Sequence, residues 1–269
     1  MMTKMFAKGA LAAAVVGGLL ASTYGCDQPL PKCAAGRGAF VAVYKNPTGP
    51  ASCADLKGEK LGFSTYNATG PKEGKPNLDI ASIAIQSESL GTLIDTAHSA
   101  GAVDKDPTHK PYGLGFFATA TPEGDFCTVP SLTIATQSIP EIKADPDNEI
   151  EAAPATTVSY AWSNVKLYVT PSALGTQFTA NLKLTTDGVE CGYDVLGMYP
   201  YVDCSTKDPA NPKKSIADDL DGKPKACAPE ADEDAGRPTG SGINPDFPTR
   251  CDPDLLVCVL TKDKIPALK

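Results

Sequence analysis

Two residue types in this chain carry most of its capacity for chemistry near neutral pH: nine cysteines and two histidines. The cysteines are Cys26, Cys33, Cys53, Cys127, Cys191, Cys204, Cys227, Cys251 and Cys258. No Cys-x-x-Cys pair occurs, which removes the usual zinc ribbon and the thioredoxin-type redox pair. His98 and His109 stand outside any His-Glu-x-x-His motif, so no metal ligand set is expected from them. His98 reads as a helix-surface residue, and His109, between Pro107 and Pro111, as a loop residue. No Gly-x-Ser-x-Gly elbow and no phosphate-cradling Gly-Lys-Ser/Thr loop is present, so no catalytic residue is assigned.

Acidic runs are the remaining candidates. Asp218-Asp219-Leu220-Asp221-Gly222 has the look of a calcium loop, since Ca²⁺ takes several oxygens from one tight turn. Setting Gly222 at the invariant glycine of such a loop puts Ala217 and Ala228 at its first and last ligand positions, where oxygen is required. The motif fails. Asp145-Pro146-Asp147-Asn148-Glu149 and Asp232-Glu233-Asp234 read as solvated charge runs. No cofactor and no metal is expected.

The elements that must position these residues are strands. Gly38–Tyr44, Leu61–Tyr66 and Ile80–Gln86 alternate apolar and small or polar side chains with the two-residue period of half-buried strands. Leu90, Leu93, Ile94 and Ala97 recur at helical spacing, and Gly101 follows as a stop. Leu114–Thr121, Phe126–Val129 and Ser131–Gln137 read as further strands. Val158, Tyr160 and Trp162 share one face, and then the apolar parity flips to Val165, Leu167 and Val169. A strand changes faces only by inserting a residue, so a bulge is expected at Ser163-Asn164. Phe178, Ala180, Leu182 and Leu184 point inward on the next strand. Asp187-Gly188 fits a two-residue hairpin turn that sets Thr186 opposite Val189, Leu184 opposite Cys191, Leu182 opposite Tyr193 and Ala180 opposite Val195.

The fold class expected is mainly β: an antiparallel β-sandwich over residues 36–204 with one short helix. An irregular, proline- and aspartate-rich appendage over residues 205–269 is expected to be stapled by cysteines, because it has too few large apolar residues for a core of its own. An immunoglobulin domain is excluded, since Trp162 lies too far beyond Cys127 and Val189 stands where that family has a tyrosine.

The first 25 residues read as an export signal. Lys4 and Lys8 precede a small-and-apolar run from Gly9 to Ala21, and Ser22-Thr23-Tyr24-Gly25 supplies small residues before Cys26. The run is short for a membrane span. Gly25-Cys26 resembles the lipobox of bacterial lipoproteins, although Thr23 stands where that family prefers leucine. The resemblance implies acylation of Cys26, removal of residues 1–25 and a tether over residues 26–35. Ordinary secretion with Cys26 left as a thiol is the alternative. Acylation leaves an even set of eight cysteines for four disulfides, as an oxidising compartment permits. Short spacing suggests Cys33–Cys53, Cys204–Cys227 and Cys251–Cys258, which leaves Cys127–Cys191.

Lys and Arg number 24 against 32 Asp and Glu. Loss of residues 1–25 takes two lysines and no acid, which leaves 22 against 32, a formal −10. Such a surface excludes nucleic-acid binding by charge, and membrane attachment would rest on the acyl chains. With its cysteine-bounded end and acidic β body, the composition resembles the cysteine-rich surface lipoproteins of myxobacteria. That resemblance implies a non-enzymatic lipoprotein, most readily of the outer membrane, docking on envelope proteins of a motility, adhesion or secretion assembly. The alternative is a lipid-tethered hydrolase or solute-binding protein, which would show a deep cleft of convergent polar groups.

Overall fold

The structure, a computed structural model, describes residues 31–144, 150–218, 226–234 and 238–269. Its described strands are β1 (Gly38–Thr48), β2 (Gly58–Thr69), β3 (Pro76–Ser87), β4 (Gly113–Phe116), β5 (Phe126–Ser131), β6 (Ala135–Ile139), β7 (Thr156–Thr170), β8 (Ala173–Thr186) and β9 (Val189–Met198). They join in one antiparallel sheet of order β4-β3-β2-β1-β9-β8-β7-β5, with β6 also paired to β7. Helix α1 (Glu88–Ser99) follows β3 directly, capped by the Ser87 hydroxyl, which accepts from the Leu90 N–H.

The period-two pattern explains what the sheet encloses. Phe40, Ala42 and Tyr44 of β1, Leu61 and Phe63 of β2, and Ile83 and Ile85 of β3 face the same core as Tyr160, Trp162, Leu167, Phe178 and Leu182 of the other half. The sheet curls until β4 approaches β5, where the Ala118 N–H donates to the Thr128 carbonyl at 2.8 Å and the Thr133 N–H donates to the Leu114 carbonyl at 2.9 Å. Gly115 permits this approach: a Cβ there would lie 2.6 Å from the Val129 side chain and 2.7 Å from the Ser131 carbonyl.

The long hairpin follows its expected register. Thr186 pairs with Val189, Leu184 with Cys191, Leu182 with Tyr193 and Ala180 with Val195. Asp187 and Gly188 both have positive φ, 52° and 81°, as a type I′ turn demands. The bulge also lies where the apolar parity flips, with a register shift between Ser163 and Lys166 and Asn164 at φ 51°. Trp162 is buried in the core. Two expected strands are shorter than their apolar content suggests. β4 ends at Phe116 and β6 begins only at Ala135, because the flanking Ala118 and Thr133 bond across the closing seam instead of along a ladder.

The C-terminal stretch holds more order than its composition suggests. β10 (Ser205–Asp208) pairs with β11 (Asn211–Ala217), and β12 (Thr249–Cys251) with β13 (Cys258–Leu260). Val257, Val259, Leu260, Phe247 and Ile243 cover Val41, Leu196 and Met198 on the outer side of β1 and β9, which gives the chain a second apolar core. Gln177, fully buried on β8, clamps the chain end: its amide donates to the Ala267 carbonyl at 2.9 Å and accepts the Ala267 N–H at 2.8 Å. Residues 33–35, expected within the tether, are pinned to the body together with Gly36. The Ala35 N–H donates to the Thr65 hydroxyl at 2.9 Å, and the Gly36 N–H to the Gly175 carbonyl at 2.9 Å.

Candidate functional site

All eight cysteines from Cys33 onward are bonded, but their pairing differs from the one that short spacing suggests. The bridges are Cys33–Cys127, Cys53–Cys191, Cys204–Cys251 and Cys227–Cys258. Topology decides this, not distance along the chain. β1 pairs with β9, Thr48 opposite Gly192, so the turn carrying Cys53 lands beside Cys191. Cys191 does point inward, as its register requires, but Cys127 lies on β5 across the sheet and takes Cys33 instead. Cys251 and Cys258 sit opposite each other on β12 and β13, and each reaches outside that hairpin for its partner. Among the described residues, the groups that could gather round a metal are Cys204 with Cys227 and Cys258, and Cys204 with Asp218 and Cys251. Their sulfurs are already bonded to one another. Cys26, residues 1–25, Asp145–Glu149 and Asp219–Gly222 lie outside the described residues.

His98 is exposed on α1, as its spacing suggests. His109 is more than a loop residue. Its Nδ1 lies 2.6 Å from the Asp104 carboxylate and its Nε2 3.6 Å from that of Asp106. Asp104 also accepts the Ser138 N–H at 2.6 Å and the Asp106 N–H at 2.9 Å, which ties the loop before β4 to β6. Burial pushes the Asp104 carboxyl up, but hydrogen bonds from Ser138, Asp106 and His109 outweigh it and hold it below the usual carboxylate range. The Asp104 hydrogen bond raises the His109 pKa, against the effect of burial. The cluster acts as a clasp, one carboxylate holding His109, Asp106 and Ser138 together.

The clasp has a pH signature. A histidine whose folded pKa is raised gives stability that is full below its ordinary range near 6.5 and is lost as pH rises through the raised value. Asp104, held low, gives stability that is present above the ordinary carboxylate range and is lost as pH falls through its lowered value. Amide exchange at Asp106 and Ser138, corrected for intrinsic rate, is expected to quicken from about pH 6 to about pH 8. His109→Ala should abolish that rise. Equal slopes in both proteins would show that His109 does not hold the loop.

The most distinctive surface lies on the outer side of β2, β3 and β4. Ser64, Ala84 and Leu114 form one row across the three strands, and Tyr66, Ser82 and Phe116 the next. Small side chains on β2 and β3 leave an open trough of about 590 Å³, floored by Gly62, Ser64, Ser82 and Ala84 and walled by Tyr66 and Tyr112. Arg37 is the one charged residue of its lining, with Gln86 as the other long polar side chain. Phe116, at the rim, is 62% exposed and Tyr66 55%. The trough is broad, shallow and mostly apolar, and it brings no acid, histidine or thiol together. It can offer contact area, a few hydrogen bonds and one cation. Outward-facing Gly, Ser and Ala on neighbouring strands were the sequence signal for it, visible only once β2, β3 and β4 are known to be adjacent.

A further polar cluster lies inside the body. Glu59 on β2 accepts from the Tyr44 hydroxyl at 2.5 Å, from the Ser87 hydroxyl, and from the Ser89 N–H at 3.2 Å. Tyr44, Tyr160 and Ser87 are buried. Burial, then the Glu59 charge, drives the Tyr44 and Tyr160 pKa values well above the usual tyrosine range. A serine that caps a helix while donating to a carboxylate anchors α1.

A Myxococcus xanthus protein titled "Putative lipoprotein MlpA" is 31% identical over 103 residues, 38% of this chain. The match covers 34% of that protein, so the chain spans about a third of the length of the curated relative. No solved structure matches the chain. No described helix is long and apolar enough to cross a membrane. The MlpA family model matches residues 38–200, which run from β1 to just past β9 and take in the trough, the His109 clasp and the Glu59 cluster, and by that match the chain belongs to the MlpA family.

Proposed function

We propose that this chain is a non-enzymatic lipoprotein, acylated at Cys26, that docks on another protein of the cell envelope through the trough on β2, β3 and β4. The observation that carries the reading is the trough itself, an open apolar surface with no convergent titratable groups. Its glycine and small-residue floor lets a backbone approach closely, Tyr112 supplies stacking area, and Arg37 supplies one positive charge on an acidic body. An extended protein segment with apolar side chains and one carboxylate fits that chemistry. A lipid anchor raises the effective concentration of a partner in the same membrane, so a modest interface suffices. Outer-membrane residence and a place in a motility, adhesion or secretion assembly are the finer form of the proposal.

The test is recovery of the acylated protein from its own envelope, with a photoreactive residue at Tyr112. A partner cross-linked there is expected, and Ala84→Trp, which fills the trough, should cut its yield about tenfold, equivalent to about 1.4 kcal/mol. Cys26→Ala should also lose it, whereas His98→Ala with His109→Ala should retain it. Undiminished capture by a folded Ala84→Trp protein would overturn the docking surface. Loss of function in the double histidine variant, still folded and tethered, would favour an enzyme or metal protein instead.

A further inference from the structure

The β2–β3 hairpin extends beyond the body. β1 last pairs with β2 at Gly38 opposite Phe63, and β4 last pairs with β3 at Phe116 opposite Ser82. Beyond these points the two strands pair only with each other, through Thr69 opposite Pro76, and a register shift between Asn67 and Ala68 leaves Leu78, Asp79 and Ile80 bulged out of the ladder. An isolated two-stranded ribbon is marginal in water, and this one also presents Tyr66, Leu78 and Ile80, each about half exposed. With Phe116 at its base, they form an apolar stripe running toward the turn at Gly70–Lys75.

Two further observations say what covers that stripe. Lys32 reaches Asp79 on the ribbon at 2.9 Å, and Cys33 is fixed to β5 by its disulfide, so the described chain begins beside the hairpin. Cys26 precedes Lys32 by six residues, which span at most about 20 Å when fully extended. An acyl chain on Cys26 thus keeps this end of the protein within reach of the lipid headgroups. The charge agrees. Lys72 and Lys75 balance Glu73 and Asp79 on the ribbon, and Lys32 adds one positive charge, whereas the mature chain as a whole is strongly acidic. The near-neutral hairpin can approach an anionic bilayer without strong net repulsion.

We infer that the β2–β3 hairpin is the membrane-facing element of the lipoprotein, with Tyr66, Leu78, Ile80 and Phe116 seated in the headgroup layer and Lys72 and Lys75 among the phosphates. This rests on acylation at Cys26. The short tether and the apolar stripe then hold one orientation together, and the trough beside the stripe opens just above the lipid surface. Tyrosine and phenylalanine suit that depth, because aromatic rings favour the boundary between hydrocarbon and water.

The test uses the full-length acylated protein in vesicles of phosphatidylethanolamine and phosphatidylglycerol. Intact mass and vesicle flotation establish the anchor first. Amide exchange over Tyr66–Ile80 is then compared with Leu78→Asp/Ile80→Asp, which keeps the same anchor. The wild-type ribbon is expected to exchange roughly tenfold more slowly than the variant's, with the β10–β11 hairpin unchanged in both. An acylated, floated protein whose ribbon exchanges as fast as the variant's would overturn the membrane face and leave the anchor standing. A protein that carries no lipid and does not float would overturn both. Protection seen in native envelopes but absent from protein-free vesicles would also overturn the inference, since a protein would then be the cover.

Discussion

Replacing Cys53 and Cys191 together by alanine lowers the free energy of unfolding by about 4 kcal/mol, the largest effect expected of any pairwise change in this chain. The bridge closes a loop of 138 residues, the longest of the four, so its loss releases the most chain entropy in the unfolded state. The loop-entropy relation gives about 5 kcal/mol for that length, and engineered or removed bridges commonly deliver less than the relation allows. The bridge joins the turn after β1 to the inner face of β9, close to where the Tyr193 hydroxyl donates to the Cys53 carbonyl at 2.9 Å. That hydrogen bond and the ladder between β1 and β9 remain in the variant, so the fold should survive with its strand order intact. Guanidinium unfolding should show a lower midpoint and a steeper slope, because the uncrosslinked chain exposes more surface when unfolded. A loss below about 1 kcal/mol would mean that the unfolded state is already constrained elsewhere. For the wild type, thiol labelling under unfolding, non-reducing conditions should find none of these eight cysteines free.

Local chemistry was legible in the sequence, and long-range adjacency was not. The hairpin at Asp187-Gly188 could be read to the residue because a two-residue turn fixes the register, and an apolar side chain on one strand must then meet one on the other. The bulge at Ser163-Asn164 was legible for a related reason, since a parity flip has few other causes. The disulfides were not. Nothing in the spacing of Cys53 and Cys191 announces that β1 lies against β9, and the three bridges paired by short spacing, with the fourth left as their remainder, all proved different. The trough was hidden for the same reason, because Ser64, Ala84 and Leu114 become a row only through two strand pairings. The clasp left a local trace in the short acid-x-acid-x-x-His spacing of Asp104, Asp106 and His109. Glu59 left one too: it shares its parity with Leu61 and Phe63, so the alternation that points those side chains inward points an acid inward as well.

That inward acid leads to the second large effect. Glu59→Ala is expected to cost about 3 kcal/mol of stability, because it removes one acceptor from three donors at once. The Tyr44 hydroxyl, the Ser87 hydroxyl and the Ser89 N–H all point to this carboxylate, and the first two belong to buried residues with little access to water. An orphaned buried donor costs roughly 1–3 kcal/mol, while the more exposed Ser89 amide recovers much of its bond from solvent. A negative charge beside the first turn of α1 is also lost, and there it interacts favourably with the helix dipole. The consequences should be local as well as global. Ser87 must cap the helix without its own acceptor, so amides in the first turn of α1 should exchange faster than those in β8. Glu59→Gln keeps the shape and one acceptor oxygen and should recover about half of the loss. Tyr44→Phe removes one donor along with the need for its acceptor and should cost only about 1 kcal/mol. Combining Tyr44→Phe with Glu59→Ala completes a cycle in which the double variant should be less damaged than the two single losses added together. Urea midpoints at constant slope measure all four proteins on one scale. Strict additivity would show that Glu59 and Tyr44 do not depend on each other, and that α1 is held to the body by its apolar contacts alone.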